Sequence, residues 1–173
     1  MTDTKFLPEG EIPTIAFVDH SEDDLTQLID RLGKFDFPDS MDKLRQRYRF
    51  VPIVIEENEE VDWLVKSAMA KLDACRPGPD IVLVDLSFGE RVRRPVTIGA
   101  SLASTLQKML PVPVGVYTRW GLKPEQRVEI AMHRFDVVFD RTFSETSVTL
   151  ASQYDKFFKR ILEFQKANPE IPY

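Results

Sequence analysis

Hydrophobic residues along this chain fall into two patterns: short unbroken apolar runs, and longer stretches with an apolar residue every three or four positions. Thr14-Ile15-Ala16-Phe17-Val18 runs without alternation into Asp19, and Ile81-Val82-Leu83-Val84 runs the same way into Asp85. Unbroken runs of this length predict strands covered on both faces. Val51-Pro52-Ile53-Val54-Ile55 predicts another strand, with Pro52 arguing for a sheet edge because proline cannot donate to a ladder. Two more are predicted at Val112 to Tyr117, which reaches Thr118, and at Asp136 to Asp140, which leads into Arg141.

Helical spacing fills the intervals. Ser21, with Asp24 three residues on, predicts a helix start, Leu25, Leu28, Ile29 and Leu32 form its apolar face, and Gly33 ends it. A second face comprises Val61, Leu64, Val65, Ala68 and Leu72, and a third Leu102, Leu106, Met109 and Leu110. Pro124 suits the first turn of a helix carrying Val128, Ala131 and Met132. A final helix from about Ser147 to Gln165 carries a wide stripe of Leu150, Tyr154, Phe157, Phe158, Ile161, Leu162 and Phe164.

Five strands alternating with five helices require parallel pairing through helical crossovers. The expected fold is therefore α/β: a doubly wound five-stranded parallel sheet in a three-layer α/β/α sandwich, with inserted loops at 34–50 and 89–98. Residues 1–173 read as one domain with a core of about 13–166. Phe157 and Phe158 are neighbours, about 100° apart on a helix, and cannot both face one sheet. A homodimer or partner contact through the final helix is one expectation from this, and a stripe buried wholly in the core is the alternative.

Composition narrows the class. Hydrophobic residues make up 43% and charged residues 29% of 173 positions, as in ordinary globular proteins. The net charge of −5 gives no basic field for nucleic acid or anionic membrane, and the one basic cluster, Arg91-Val92-Arg93-Arg94, is short and reads as a solvated loop. No apolar run nears the roughly 18 residues that span a bilayer. The first ten residues lack a signal-peptide pattern, and the lone Cys75 rules out an internal disulfide, so a cytoplasmic location is expected.

The chemistry concentrates at strand ends, where doubly wound sheets place their sites. Asp19 and Asp85 delivered to one sheet edge could hold a hard divalent cation such as Mg²⁺. For either acid alone, a turn-forming or capping role competes. Glu22, Asp23 and Asp24 read as favourable charges in a helix first turn.

Ile15-Ala16-Phe17-Val18-Asp19-His20-Ser21-Glu22-Asp23-Asp24-Leu25 and Ile81-Val82-Leu83-Val84-Asp85-Leu86, with Thr118 and Arg141 at later strand ends, resemble the receiver domain of response regulators (CheY-like) over nearly the whole chain. The resemblance implies that Asp85 accepts phosphate from a histidine kinase or phosphotransfer protein. It further implies that Asp19 and Asp85 serve a Mg²⁺ site, Thr118 supplies the switch hydroxyl, and Arg141 stands for the phosphate-pairing lysine. It implies no enzyme beyond self-catalysed phosphotransfer, and a stand-alone module that acts through a downstream protein partner.

The departures are specific. His20 replaces the family's second acid with an imidazole, which suits zinc or copper better than Mg²⁺, and it is read as a spectator rather than a ligand. Arg141 and Thr142 replace Lys and Pro, Val138 replaces the switch aromatic, and Arg119-Trp120 follow Thr118 where a small residue is common. They motivate an alternative, a degenerate receiver that binds partners without phosphorylation. A small hydrolase or nucleotide-binding protein is the remaining reading, weakened by seven glycines and no Gly-rich loop or nucleophile elbow.

Overall fold

The computed structural model describes residues 12–35, 37, 42–56, 58, 60–86, 98–118, 137–139 and 147–167. Five strands, β1 (Thr14–Asp19), β2 (Arg49–Val54), β3 (Ile81–Asp85), β4 (Val114–Thr118) and β5 (Val137–Phe139), form one sheet in the order β2-β1-β3-β4-β5. Every pairing is parallel, with Val18 opposite both Ile53 and Val84, and Asp85 opposite Tyr117. The helices are α1 (Glu22–Gly33), α2 (Leu44–Arg47), α3 (Val61–Asp73), α4 (Ile98–Met109) and α5 (Ser147–Ala167).

Strand alternation divides the apolar residues into two cores. Ala16, Val18, Val82, Val84, Val114 and Val116 pack on Leu64, Val65, Ala68 and Leu72 of α3 and on Leu102, Ala103 and Leu106 of α4. Ile15, Phe17, Ile81, Leu83 and Tyr117 pack on Leu25, Leu28 and Leu32 of α1 and on Tyr154, Phe158 and Ile161 of α5. Helices thus cover both faces, which is why β1 and β3 are buried throughout and apolar up to their final aspartates, Thr14 aside. β2, with Pro52, lies at the sheet edge.

Three expectations need correction. β2 begins at Arg49 rather than Val51; on an edge strand the exposed Arg49 side chain reaches solvent while its backbone N–H bonds the Pro13 carbonyl. Met109 is not core: it is 53% exposed at the last position of α4, and Gly99, Ala100 and Ala103 supply the close contacts instead. The 34–50 segment, expected as an inserted connection with a short helix, also contributes to the core. Phe35, Phe37, Leu44 and Tyr48 are buried in the α1/α5 core, and α2 is a single turn within it.

Tyr48 ties this segment to α5, its hydroxyl donating to Asp155 Oδ1 at 2.7 Å. Burial, then this bond, pushes the Tyr48 hydroxyl well above its ordinary range, so it stays a donor. The α5 stripe is largely core, with Phe158 fully buried and Phe157 edge-on against it at 5.8 Å; Phe164 remains exposed. The expected helix at 124–132, the 89–97 part of the inserted loop, Arg91 to Arg94, Arg119-Trp120, Arg141 and Thr142 lie outside the described residues.

Candidate functional site

Because β1 and β3 are adjacent and parallel, with Val18 opposite Val84, their next residues emerge side by side at the carboxyl edge. Those residues are Asp19 and Asp85, 1% and 4% exposed. A buried carboxylate is costly unless its oxygens accept hydrogen bonds. Asp19 Oδ1 accepts from the backbone N–H of His20 at 2.6 Å and of Ser21 at 3.1 Å. Its Oδ2 accepts from the Tyr117 hydroxyl at 2.5 Å. Main-chain donors and one side chain together fix this carboxylate.

The turn that supplies those amides also starts α1. Ser21 is its N-cap, with the hydroxyl oxygen accepting from the Asp24 N–H at 3.3 Å, and Glu22, Asp23 and Asp24 fill the first turn. The three acids thus lie where the helix-charge reading puts them, and among the described residues the carboxylates gathered at the sheet edge are Asp19 and Asp85.

His20 sits between the two carboxylates. Its Nδ1 lies 3.3 Å from Asp19 Oδ1 and 3.8 Å from Asp85 Oδ2, with the side chain 16% exposed. One donor atom from each of Asp19, His20 and Asp85 lies within 4.8 Å of the others. Mg²⁺ asks for a near-octahedral shell of oxygens. Two carboxylates fit that demand and the imidazole nitrogen does not, so the three-residue set is mismatched to Mg²⁺.

Thr118 ends β4, one residue beyond the Tyr117 that pairs with Asp85, which puts it at the same sheet edge. β5 pairs with β4 through Thr118 and Phe139, and Arg141 follows beyond the described residues. α4 closes the other side of Asp85: a Cβ on Gly99 would stand 2.3 Å from the Asp85 carbonyl oxygen.

Tyr117 is the site residue that sequence reasoning missed. It reads as the last apolar position of a strand, and its ring does pack edge-on against Phe17 at 5.4 Å. Its hydroxyl finds a carboxylate 98 positions away only through the β1-β3-β4 strand order. Tyr117→Phe removes the donor and leaves the buried Oδ2 without it, which is expected to cost about 2 kcal/mol. Urea unfolding measures this, and an unchanged midpoint would refute the role.

No protein-family model and no curated protein sequence matches the chain, whereas solved structures do. The signal receiver domain of a modulated diguanylate cyclase from Desulfovibrio desulfuricans is 13% identical with a TM-score of 0.55, covering 91% of this chain and 98% of that one. A CheY-like response regulator receiver domain from Methanospirillum hungatei is 12% identical, with a TM-score of 0.53 and coverage of 88% and 98%. A response regulator from Thermotoga maritima is 15% identical, with a TM-score of 0.52 and coverage of 86% and 99%. Likeness across most of both chains at such low identity is a likeness of architecture, and on it this chain has the CheY-like receiver fold, in a strongly diverged sequence.

Proposed function

We propose that the chain is a receiver-like signalling module of two-component type. Asp85 takes a phosphoryl group from a histidine kinase or phosphotransfer protein, and the change alters binding to a downstream protein. The observation that carries this reading is the meeting of Asp19 and Asp85, two buried carboxylates from separate strands, at the carboxyl edge of a parallel sheet.

In the proposed step an Asp85 oxygen attacks the phosphorus of a phosphohistidine, the P–N bond breaks, the imidazole leaves with a proton, and an acyl phosphate forms. Thr118 is assigned the hydroxyl that binds the phosphoryl oxygens, from its place at the end of β4, and Arg141 the cation, from the sequence resemblance alone. A divalent cation in the pocket would neutralise charge. Beyond this self-catalysed transfer the module is not an enzyme. A second copy of the chain, meeting it through α5 where Phe164 is exposed, is one partner on this reading.

Incubation with phosphoramidate, or with a phosphorylated histidine kinase, is expected to add one phosphoryl group, resolved by intact mass, in the divalent ion that the pocket binds, with Mg²⁺, Mn²⁺ and Zn²⁺ tried in parallel. Asp85→Asn should abolish the adduct. Equal labelling of wild type and variant, or none in wild type with any of the three ions, would refute phosphotransfer at this residue.

One observation favours a second reading, a receiver fold that binds partners without phosphorylation: the His20 imidazole occupies the space between the two carboxylates. On that reading Asp85→Asn leaves partner binding unchanged.

A further inference from the structure

The mismatch with Mg²⁺ has a positive counterpart in the donor set. Two carboxylates and one imidazole, supplied by two strand ends, make a mixed oxygen and nitrogen triad. Imidazole suits Zn²⁺ and its neighbours in the first transition row better than Mg²⁺, and Zn²⁺ takes carboxylate and imidazole ligands together in open, three-residue sites.

The spacing agrees. Two ligands about 2.1 Å from a tetrahedral ion stand about 3.4 Å apart. The His20 Nδ1 separations from the two carboxylates are 3.3 and 3.8 Å, close to that figure, and the three donor atoms all lie within 4.8 Å of one another. The surroundings also resemble those of a metal ligand: a ligating carboxylate is normally held by outer hydrogen bonds, and Asp19 is held by two backbone amides and by Tyr117. Those bonds fix the acid before any ion arrives.

We propose that Asp19, His20 and Asp85 form a Zn²⁺-class site, with His20 ligating through Nδ1, so that this pocket prefers Zn²⁺ to Mg²⁺. With three protein ligands, a fourth position stays open to water or an anion. The site shares its residues with the proposed phosphoacceptor but rests on pocket geometry alone, and it holds whether or not Asp85 is phosphorylated.

The test titrates the full chain with Zn²⁺, Mg²⁺ and Co²⁺ in the absence of any phosphodonor, by calorimetry and by thermal unfolding, with the visible absorption of bound Co²⁺ reporting nitrogen ligation. Expected are one Zn²⁺ per chain, no Mg²⁺ response at the same concentration, and Co²⁺ bands that vanish in His20→Ala. That variant should bind Zn²⁺ at least tenfold more weakly, and Tyr117→Phe about tenfold more weakly. His20→Asp should reverse the order, gaining a Mg²⁺ response while losing Zn²⁺ affinity. His133→Ala, at the other histidine in the chain, should change nothing. Equal Zn²⁺ affinity in wild type and His20→Ala, or a Mg²⁺ response in wild type as strong as that to Zn²⁺, would overturn the assignment. Failure of phosphoryl labelling with Zn²⁺ binding intact would count against the phosphoacceptor reading alone.

Discussion

Phe158→Ala is expected to destabilise the protein by about 4 kcal/mol, measured by urea denaturation. The ring is fully buried and ties α5 to the stretch around the start of β2. Its centroid lies 4.9 Å from Tyr48 in the inserted segment, 6.2 Å from Phe50 on β2, and 6.1 Å from Tyr154 one turn earlier on α5. Aromatic pairs at these distances add to the transfer energy of the ring itself. Truncation leaves a cavity among rings anchored on β2, α5 and the Tyr48 to Asp155 hydrogen bond, so little collapse can offset the loss. A cost under 1 kcal/mol would show that the inserted segment does not depend on this contact.

Gly99→Ala should destabilise by about 2 kcal/mol net, although alanine is the better helix former. Propensity alone favours the change by about 1 kcal/mol. Against it, the added methyl would stand 2.3 Å from the Asp85 carbonyl oxygen and 2.9 Å from Leu86 Cα. Both neighbours are backbone atoms at the buried end of β3, so neither can swing aside, and overpacking of this kind costs about 3 kcal/mol. Relief requires α4 to move off β3, which displaces Asp85. The variant should therefore show a lower urea midpoint together with weaker metal binding at the Asp19, His20 and Asp85 pocket. A raised midpoint would mean that α4 slides without strain.

The two acids were legible in the chain because each ends a short unbroken apolar run rich in β-branched residues, the pattern of a strand sandwiched between layers. The faces of α1 and α3 were legible for a similar reason: Leu25, Leu28 and Leu32, and Leu64, Val65, Ala68 and Leu72, hold their spacing and their burial. Met109 kept the helical spacing but is 53% exposed at the end of α4, while Leu110, the next residue, packs against the core. Periodicity specifies a face; it says nothing of where the neighbouring layer stops. Phe35, Phe37 and Tyr48 were visible in the inserted segment, yet without a regular period they did not reveal that it packs into the core.

The site was half legible. Asp19, Asp85 and Thr118 could be ordered along one sheet edge from strand ends alone. The Tyr117 hydroxyl could not, since its partner is set by register across three strands. His20 was visible as a departure, while its place between the carboxylates depends on the tight turn after β1.

That turn has an evolutionary consequence. The amides gripping Asp19 come from the main chain of residues 20 and 21, so they persist whatever side chain follows the acid, proline excepted. Position 20 is thereby free to drift while its neighbour stays anchored. Histidine and aspartate codons differ by a single base, so a lineage could exchange one ionic appetite for another in one step, without passing through an unfolded ancestor.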